Sequence, residues 1–282
     1  MKLITRENKI DLKSFIAKNF NISKSKAKNI IDGRQVFVNN KRAWIASYVL
    51  IKGDIVEIMD FNEKKEINEI KIIYEDDYVI AVDKPYGIIT DKSNNSFENL
   101  IREKLKNESL RAVHRLDKDT SGVLLFAKND LVFEKFKKLW QEKGVEKIYI
   151  AISLNEANFE KKEIKMPIEG KEAISYVEKI AVSDGLTLFK IKTFTGRKHQ
   201  IRIHLAKNGY PILGDKVYGP NMIKDEKYKK ISRQLLHTFK IIYKCPFKNK
   251  QVTLQSEIPE DFYIFKRIKE IIKNYKQELQ RC

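Results

Sequence analysis

Nine consecutive residues, His114-Arg-Leu-Asp-Lys-Asp-Thr-Ser-Gly122, set a carboxylate, Asp117, among the cations Arg115 and Lys118. Five apolar residues, Val123 to Ala127, follow at once and read as a buried strand. Positive charge around a carboxylate favours its charged form, so Asp117 at the mouth of that strand is available as a base or a nucleophile. A second stretch, Glu146-Lys-Ile-Tyr-Ile-Ala151, puts Lys147 and Tyr149 two residues apart, hence on one face of a strand. A third, Gly196-Arg-Lys-His-Gln-Ile-Arg-Ile-His-Leu205, brings Arg197, His199 and Gln200 to the approach of a helix, where phosphate contacts are favoured. His199 and His204 invite a metal reading, but their i,i+5 spacing sets them on different helix faces with no third ligand. No metal site is expected.

The chain that must position these residues has 282 of them, enough for one large core and a small accessory domain. No apolar run approaches the ~18–20 residues that cross a bilayer. The N-terminus lacks an apolar signal core, and Glu7 and Asp11 argue against a transit peptide. The two cysteines, Cys245 and Cys282, lie far apart and suggest neither a disulfide framework nor structural zinc. A reduced, cytoplasmic protein is expected. Lys and Arg number 56 against 38 Asp and Glu, a net charge of +18. That excess suits a polyanion, because each neutralised phosphate releases counterions. Nucleic acid is the favoured partner, and an anionic membrane surface is the weaker alternative.

Residues 10–58 read as a unit of their own. A helix over Asp11–Phe20 carries Leu12, Phe15, Ile16 and Phe20 on one face. Ser23 caps a second helix over Lys24–Asp32, which stops at Gly33. Short strands follow at Val36–Val38, Trp44–Leu50 and Ile55–Ile58, with an Asn39-Asn40 turn between the first two. The run from Ser23 to Asn39, with the later Lys52-Gly-Asp-Ile-Val, is similar to the S4-like RNA-binding domain. Residues 1–60 hold 12 Lys and Arg against 6 Asp and Glu, and Lys24, Lys26, Lys28 and Arg34 are spaced to line a phosphate-binding surface. Residues 61–71 are charged and weakly periodic and read as a linker. From 72 to 262 the pattern gives strands at Val79–Val82, Val123–Ala127, Ile148–Ser153, Ile174–Ile180, Leu186–Thr193 and Val252–Leu254. Helices fall at Phe97–Lys106, Leu131–Glu142 and Gln200–Lys207. Strands and helices mix without βαβ alternation, so the expected class is α+β with a mixed, largely antiparallel sheet and a small N-terminal α/β domain. Residues 263–282 read as an amphipathic helix.

The run around Asp117 closely resembles the catalytic motif of the RluA-type pseudouridine synthases. Tyr74-Glu-Asp-Asp-Tyr, Asp83-Lys-Pro-Tyr-Gly, Tyr210-Pro-Ile-Leu-Gly-Asp and Arg233-Gln-Leu-Leu-His extend the resemblance over about 72–260. It implies that Asp117 is the catalytic aspartate, that Tyr149 stacks on a flipped uracil near C5, and that Arg202 pairs with Asp117. A flipped base needs such an aromatic face to replace its lost stacking. Arg115 and Lys147 join Arg197, His199 and Gln200 as expected RNA contacts. The implied reaction breaks the N1–C1′ bond, turns the base and joins C5 to C1′, with no cofactor. Whether the carboxylate attacks C1′ or removes the 2′ proton stays open. Lys198 and Cys245 depart from the family pattern without touching Asp117, Tyr149 or Arg202. The accessory domain points to large-subunit ribosomal RNA, with tRNA as the lesser option, acted on by a monomer. Two other readings are a ribosome-assembly factor that binds RNA without reacting and a metal-dependent hydrolase using His114 and Asp117. The first has no need of Asp117, Tyr149 and Arg202 together. The second lacks further ligands.

Overall fold

The computed structural model describes residues 2–58, 69–91, 96–220, 228, 231–266, 268 and 270–271. By internal contacts the chain divides into two units, residues 1–65 with 214–234, and residues 66–213 with 235–282.

The first unit runs β1 (Lys2–Ile4), β2 (Ile10–Asp11), α1 (Leu12–Asn19), α2 (Lys24–Asp32), β3 (Val36–Val38), β4 (Lys41–Ala43), β5 (Val49–Leu50) and β6 (Ile55–Ile58). Both helices begin on side-chain caps. Asp11 accepts from the Ser14 N–H and Ser23 from the Lys26 N–H, each satisfying a backbone donor that the helix cannot. Leu12, Phe15, Ile16, Ala27 and Ile31 bury against Val36, Val38, Val56 and Ile58 of the sheet, whose strand order is β1-β6-β3-β4. Asn39 and Asn40 both take left-handed φ, 49° and 66°, as a two-residue hairpin between β3 and β4 requires.

Two expectations change here. The strand expected over Trp44–Leu50 is β4 ending at Ala43, then a loop, then β5. The loop carbonyls of Ala46 and Tyr48 accept the Lys13 and Leu12 N–H groups at the start of α1, so they are committed to the helix end rather than to a ladder. Residues 214–234, read as part of the 72–262 region, group with the first unit, where the Arg42 Nη1 donates to the Asp215 carbonyl at 3.0 Å.

The second unit contains β7 (Ile72–Glu75), β8 (Val79–Lys84), α3 (Phe97–Leu105), β9 (Arg111–Ala112), β10 (Ser121–Ala127), α4 (Asp130–Gln141), β11 (Val145–Leu154), β12 (Lys161–Lys165), β13 (Ile174–Ser183), β14 (Leu186–Thr193), α5 (Gln200–Lys207), β15 (Leu236–Lys244) and β16 (Gln251–Gln255). Its sheet has the order β12-β13-β14-β11-β15-β10-β8-β7, with β16 also on β15 and β9 on β10. The β10–β15 pair is parallel, and the other described pairings are antiparallel. The fold is therefore α+β with a mixed, mostly antiparallel sheet.

Strand β10 reads as one apolar run because helices cover both its faces. Val123 and Leu125 pack with Val132 and Phe136 of α4. Leu124 and Phe126 pack with Phe97 and Ile101 of α3. The central strand β15 was not expected from sequence. It is buried nearly throughout, and His237, Thr238 and Lys240 break up its apolar pattern. Strands β7 and β12, short and mostly exposed or half-buried, were also missed. Most of the 61–71 linker and of the C-terminal helix expected over 263–282 lies outside the described residues. Within its described part, Phe265 and Ile268 are buried.

Candidate active site

Asp117 sits in the loop that connects β9 to β10, and that loop is fixed from beneath. Lys84, at the end of β8, is fully buried. Its ammonium donates to the carbonyls of Pro85 (3.0 Å), Thr120 (3.1 Å), Lys118 (3.3 Å) and Asp117 (3.4 Å). Thr90 adds a second tie, donating its hydroxyl to the Leu116 carbonyl at 2.8 Å and accepting the Leu116 N–H at 3.0 Å. The Gly87 N–H donates to the Lys118 carbonyl at 2.8 Å. The loop then enters β10 through Gly122, whose φ is +112°. A Cβ at this position would lie 2.2 Å from the Thr238 carbonyl oxygen on β15, so only glycine lets the two strands meet.

The Asp117 carboxylate faces α5. Arg202 Nη1 donates to Asp117 Oδ2 at 3.0 Å, and the His199 Nε2 stands 3.8 Å from the same oxygen. The Arg202 side chain is 6% exposed and that of Asp117 21%, so the pair is sheltered on the arginine side and open on the carboxylate side. His199 caps α5 with left-handed backbone, φ 56°, which places its ring beside the carboxylate. Tyr149, on β11, is half-buried between two clusters. One holds Ile201, Leu205 and Leu236, and the other Val82, Leu116 and Leu124. Burial raises the pKa of its phenol, and the Asp117 charge raises it further, so it is a neutral phenol at physiological pH. A carboxylate, a guanidinium that orients it and a neutral phenol thus share one site, open on the carboxylate side.

Several residues expected to touch RNA are placed otherwise. The Lys147 side chain is buried, and its ammonium donates to the carbonyls of Thr195 (3.0 Å) and Phe194 (3.3 Å), just before α5. Burial, with the Arg197 charge, lowers its pKa to about 8. Gln200 is buried too. Its side-chain oxygen accepts from Thr195 Oγ1 and the Arg197 N–H, and its nitrogen donates to the Ile174 carbonyl and Ser175 Oγ. Both side chains are used up in holding the start of α5 and are corrected from phosphate contacts to supports. Arg197 is half-buried and donates through Nε to the Glu172 carbonyl, while Arg115 is exposed on the Asp117 loop.

The other two histidines of the motifs are structural. His114 accepts the Leu125 N–H at Nε2, and its ring stacks on Trp140 at 5.2 Å. Burial and then the Lys147 charge lower its pKa to about 3, so it is neutral. The buried His204 meets Ser175 Oγ and the Met166 carbonyl with its two ring nitrogens, both at 2.9 Å.

On the first unit, Lys24, Lys26 and Lys28 are exposed along α2. Arg34 lies over the Trp44 ring at 4.9 Å, and Trp44 is 38% exposed. Sequence reading missed Trp44 as a surface aromatic because it counted the residue as strand. It also passed over Lys84 and Thr90. A lysine that closes an apolar strand against a proline was the available signal for the first.

The family model of RNA pseudouridylate synthase matches residues 78–207, and that of the S4 domain residues 12–56. A ribosomal large subunit pseudouridine synthase C of Rickettsia bellii is 32% identical over 269 residues, covering 81% of this chain and 87% of the relative. An RNA pseudouridine synthase of Aquifex aeolicus is 29% identical, covering 93% of each chain. Among solved structures, human RNA pseudouridylate synthase domain containing 1 superposes with a TM-score of 0.59 at 20% identity. That match covers 76% of this chain and 98% of the other, a likeness of fold. The chain therefore belongs to the RluA-type RNA pseudouridine synthases, isomerases that convert uridine in RNA to pseudouridine, and it carries an S4 domain before the catalytic fold.

Proposed function

We propose that this enzyme modifies uridines of large-subunit ribosomal RNA and that Asp117 is its catalytic carboxylate. The observation that carries the assignment is the ion pair of Asp117 with the buried Arg202, at the open edge of a site that Tyr149 completes. The guanidinium holds one carboxylate oxygen and leaves the other toward the entering nucleotide. Asp117 then attacks C1′ or removes the 2′ proton, and the N1–C1′ bond breaks. The Tyr149 ring gives the freed uracil a stacking face while it turns, and C5 joins C1′. The proton on C5 leaves last, to the phenol of Tyr149, which passes its own proton to the Asp117 carboxylate in the same step.

The S4 unit supplies affinity rather than chemistry. Lys24, Lys26, Lys28 and Arg34 suit phosphate contacts, and exposed Trp44 suits an unpaired base. The ribosomal substrate is supported by the name of the Rickettsia bellii relative and by the excess positive charge. Residues 1–60 are proposed as the binding domain, and residues 72–213 with 235–262 as the catalytic domain, of a monomer in the cytoplasm.

Chemical mapping of pseudouridine in a deletion strain tests the substrate. Sites should vanish from large-subunit ribosomal RNA, return with the wild-type gene and stay absent with Asp117→Asn. Loss confined to tRNA would move the substrate assignment there.

A further inference from the structure

Thr238 lies at the centre of the site, and the roles given above to Asp117, Tyr149 and Arg202 leave it unused. It is fully buried on β15, between Tyr149 of β11 on one side and Gly122 of β10 on the other. Residues paired across neighbouring strands project to the same face of the sheet. Leu236, two residues earlier and so on that same face, packs in the cluster that also receives Tyr149. The backbone ladder shifts register between Ile148 and Tyr149, directly opposite Thr238. The Thr238 hydroxyl has no hydrogen-bond partner of ordinary geometry among the described residues. A buried hydroxyl left so is costly, and valine would fill the same volume without that cost.

The neighbouring phenol is neutral, so it can take the C5 proton only as it gives up its own. The acceptor whose charge it feels is the Asp117 carboxylate. Burial and Asp117 raise the phenol pKa, and the Thr238 hydroxyl lowers it, the sign of a hydroxyl that donates toward the phenol oxygen and favours its charged form.

The geometry points to Thr238 as a positioning residue of the isomerisation: its hydroxyl donates to the Tyr149 phenol oxygen and fixes it, so that a lone pair faces C5 of the bound uracil while the phenol O–H faces Asp117, which receives the phenol proton as the C5 proton arrives. The role in turnover rests on the proposed function; the hydrogen bond itself does not. No covalent step is assigned to Thr238. It hands on no proton and only fixes the phenol rotor.

The test uses the full-length protein with 13Cζ-labelled tyrosine, the Tyr149 signal being identified by its loss in Tyr149→Phe. That signal should move in Thr238→Val and return in Thr238→Ser. In parallel, tritium release from a [5-³H]uridine-labelled large-subunit ribosomal RNA transcript should show roughly a tenfold lower kcat in Thr238→Val at near-unchanged KM, the size of one lost hydrogen bond. Thr238→Ser should recover the rate. Thr238→Val combined with Tyr149→Phe should be no slower than Tyr149→Phe alone. An unmoved Tyr149 signal in Thr238→Val, full activity of that variant, or losses that multiply in the double variant would overturn the proposal. If wild type releases no tritium from this transcript, the ribosomal reading fails, and the NMR signal still decides the Tyr149–Thr238 contact.

Discussion

Cations of the catalytic unit and cations of the S4 unit differ in where their charge goes. Lys84, Lys147 and Arg202 are buried, and their N–H groups end on loop carbonyls or on Asp117. Lys24, Lys26 and Lys28 stand in solvent on α2, where the ion pair of Lys28 with Asp32 is exposed and loose at 3.6 Å. A buried cation that is fully engaged fixes geometry and is costly to remove. An exposed one contributes little to stability and is ready to displace counterions from a phosphate chain. The same residue type therefore serves as scaffold in one unit and, in the function proposed above, as binding surface in the other.

Lys84→Met is expected to break that contrast most strongly. Four carbonyls under the Asp117 loop lose their donor, so thermal unfolding should show a loss of about 3 kcal/mol, and isomerisation should be nearly abolished. An active, fully stable variant would mean that the loop holds itself. Arg202→Lys keeps the charge but loses the planar fork, and kcat should fall roughly tenfold to a hundredfold with little change in RNA affinity.

Lys147 tests burial through pH. With its folded pKa near 8 and its ordinary value at 10.5, both states hold the proton below pH 8. Between those values the unfolded chain binds more protons, so wild type should gain stability over Lys147→Met as pH rises. The gain should be on the order of 3 kcal/mol by urea titration across that window. A flat difference would place the ammonium in contact with water.

At the small end, replacing Lys24, Lys26 and Lys28 together by Ala should leave stability within about 0.5 kcal/mol. The slope of log affinity against log salt should fall by about 2, at ~0.7 for each phosphate that a lysine no longer neutralises. An unchanged slope would show that α2 does not face the RNA.

The local code was legible where one physical signal dominates. Ser23 and the helix over Lys24–Asp32, the strand Leu186–Thr193 and the helix Gln200–Lys207 all follow from capping and periodicity. Asp117 and Arg202 were named from their motifs, and the structure sets them 3.0 Å apart. What periodicity could not show was which cations turn inward. Lys147 and Gln200 carry surface-type side chains, and their burial depends on the carbonyls of a loop distant in sequence. Strand β15 was hidden for a related reason. Its polar residues His237 and Thr238 are tolerated because the strand is central, with Ser121 Oγ meeting His237 Nδ1 at 2.9 Å. The need for Gly122 likewise depends on Thr238, more than a hundred positions away.

The central claim is that Asp117 supplies chemistry and not affinity. Single-turnover tritium release from [5-³H]uridine RNA, measured beside RNA binding for Asp117→Asn, tests it most directly. The expected result is no release above background with affinity within about twofold of wild type and no dependence on EDTA. Release at the wild-type rate by Asp117→Asn would contradict the assignment.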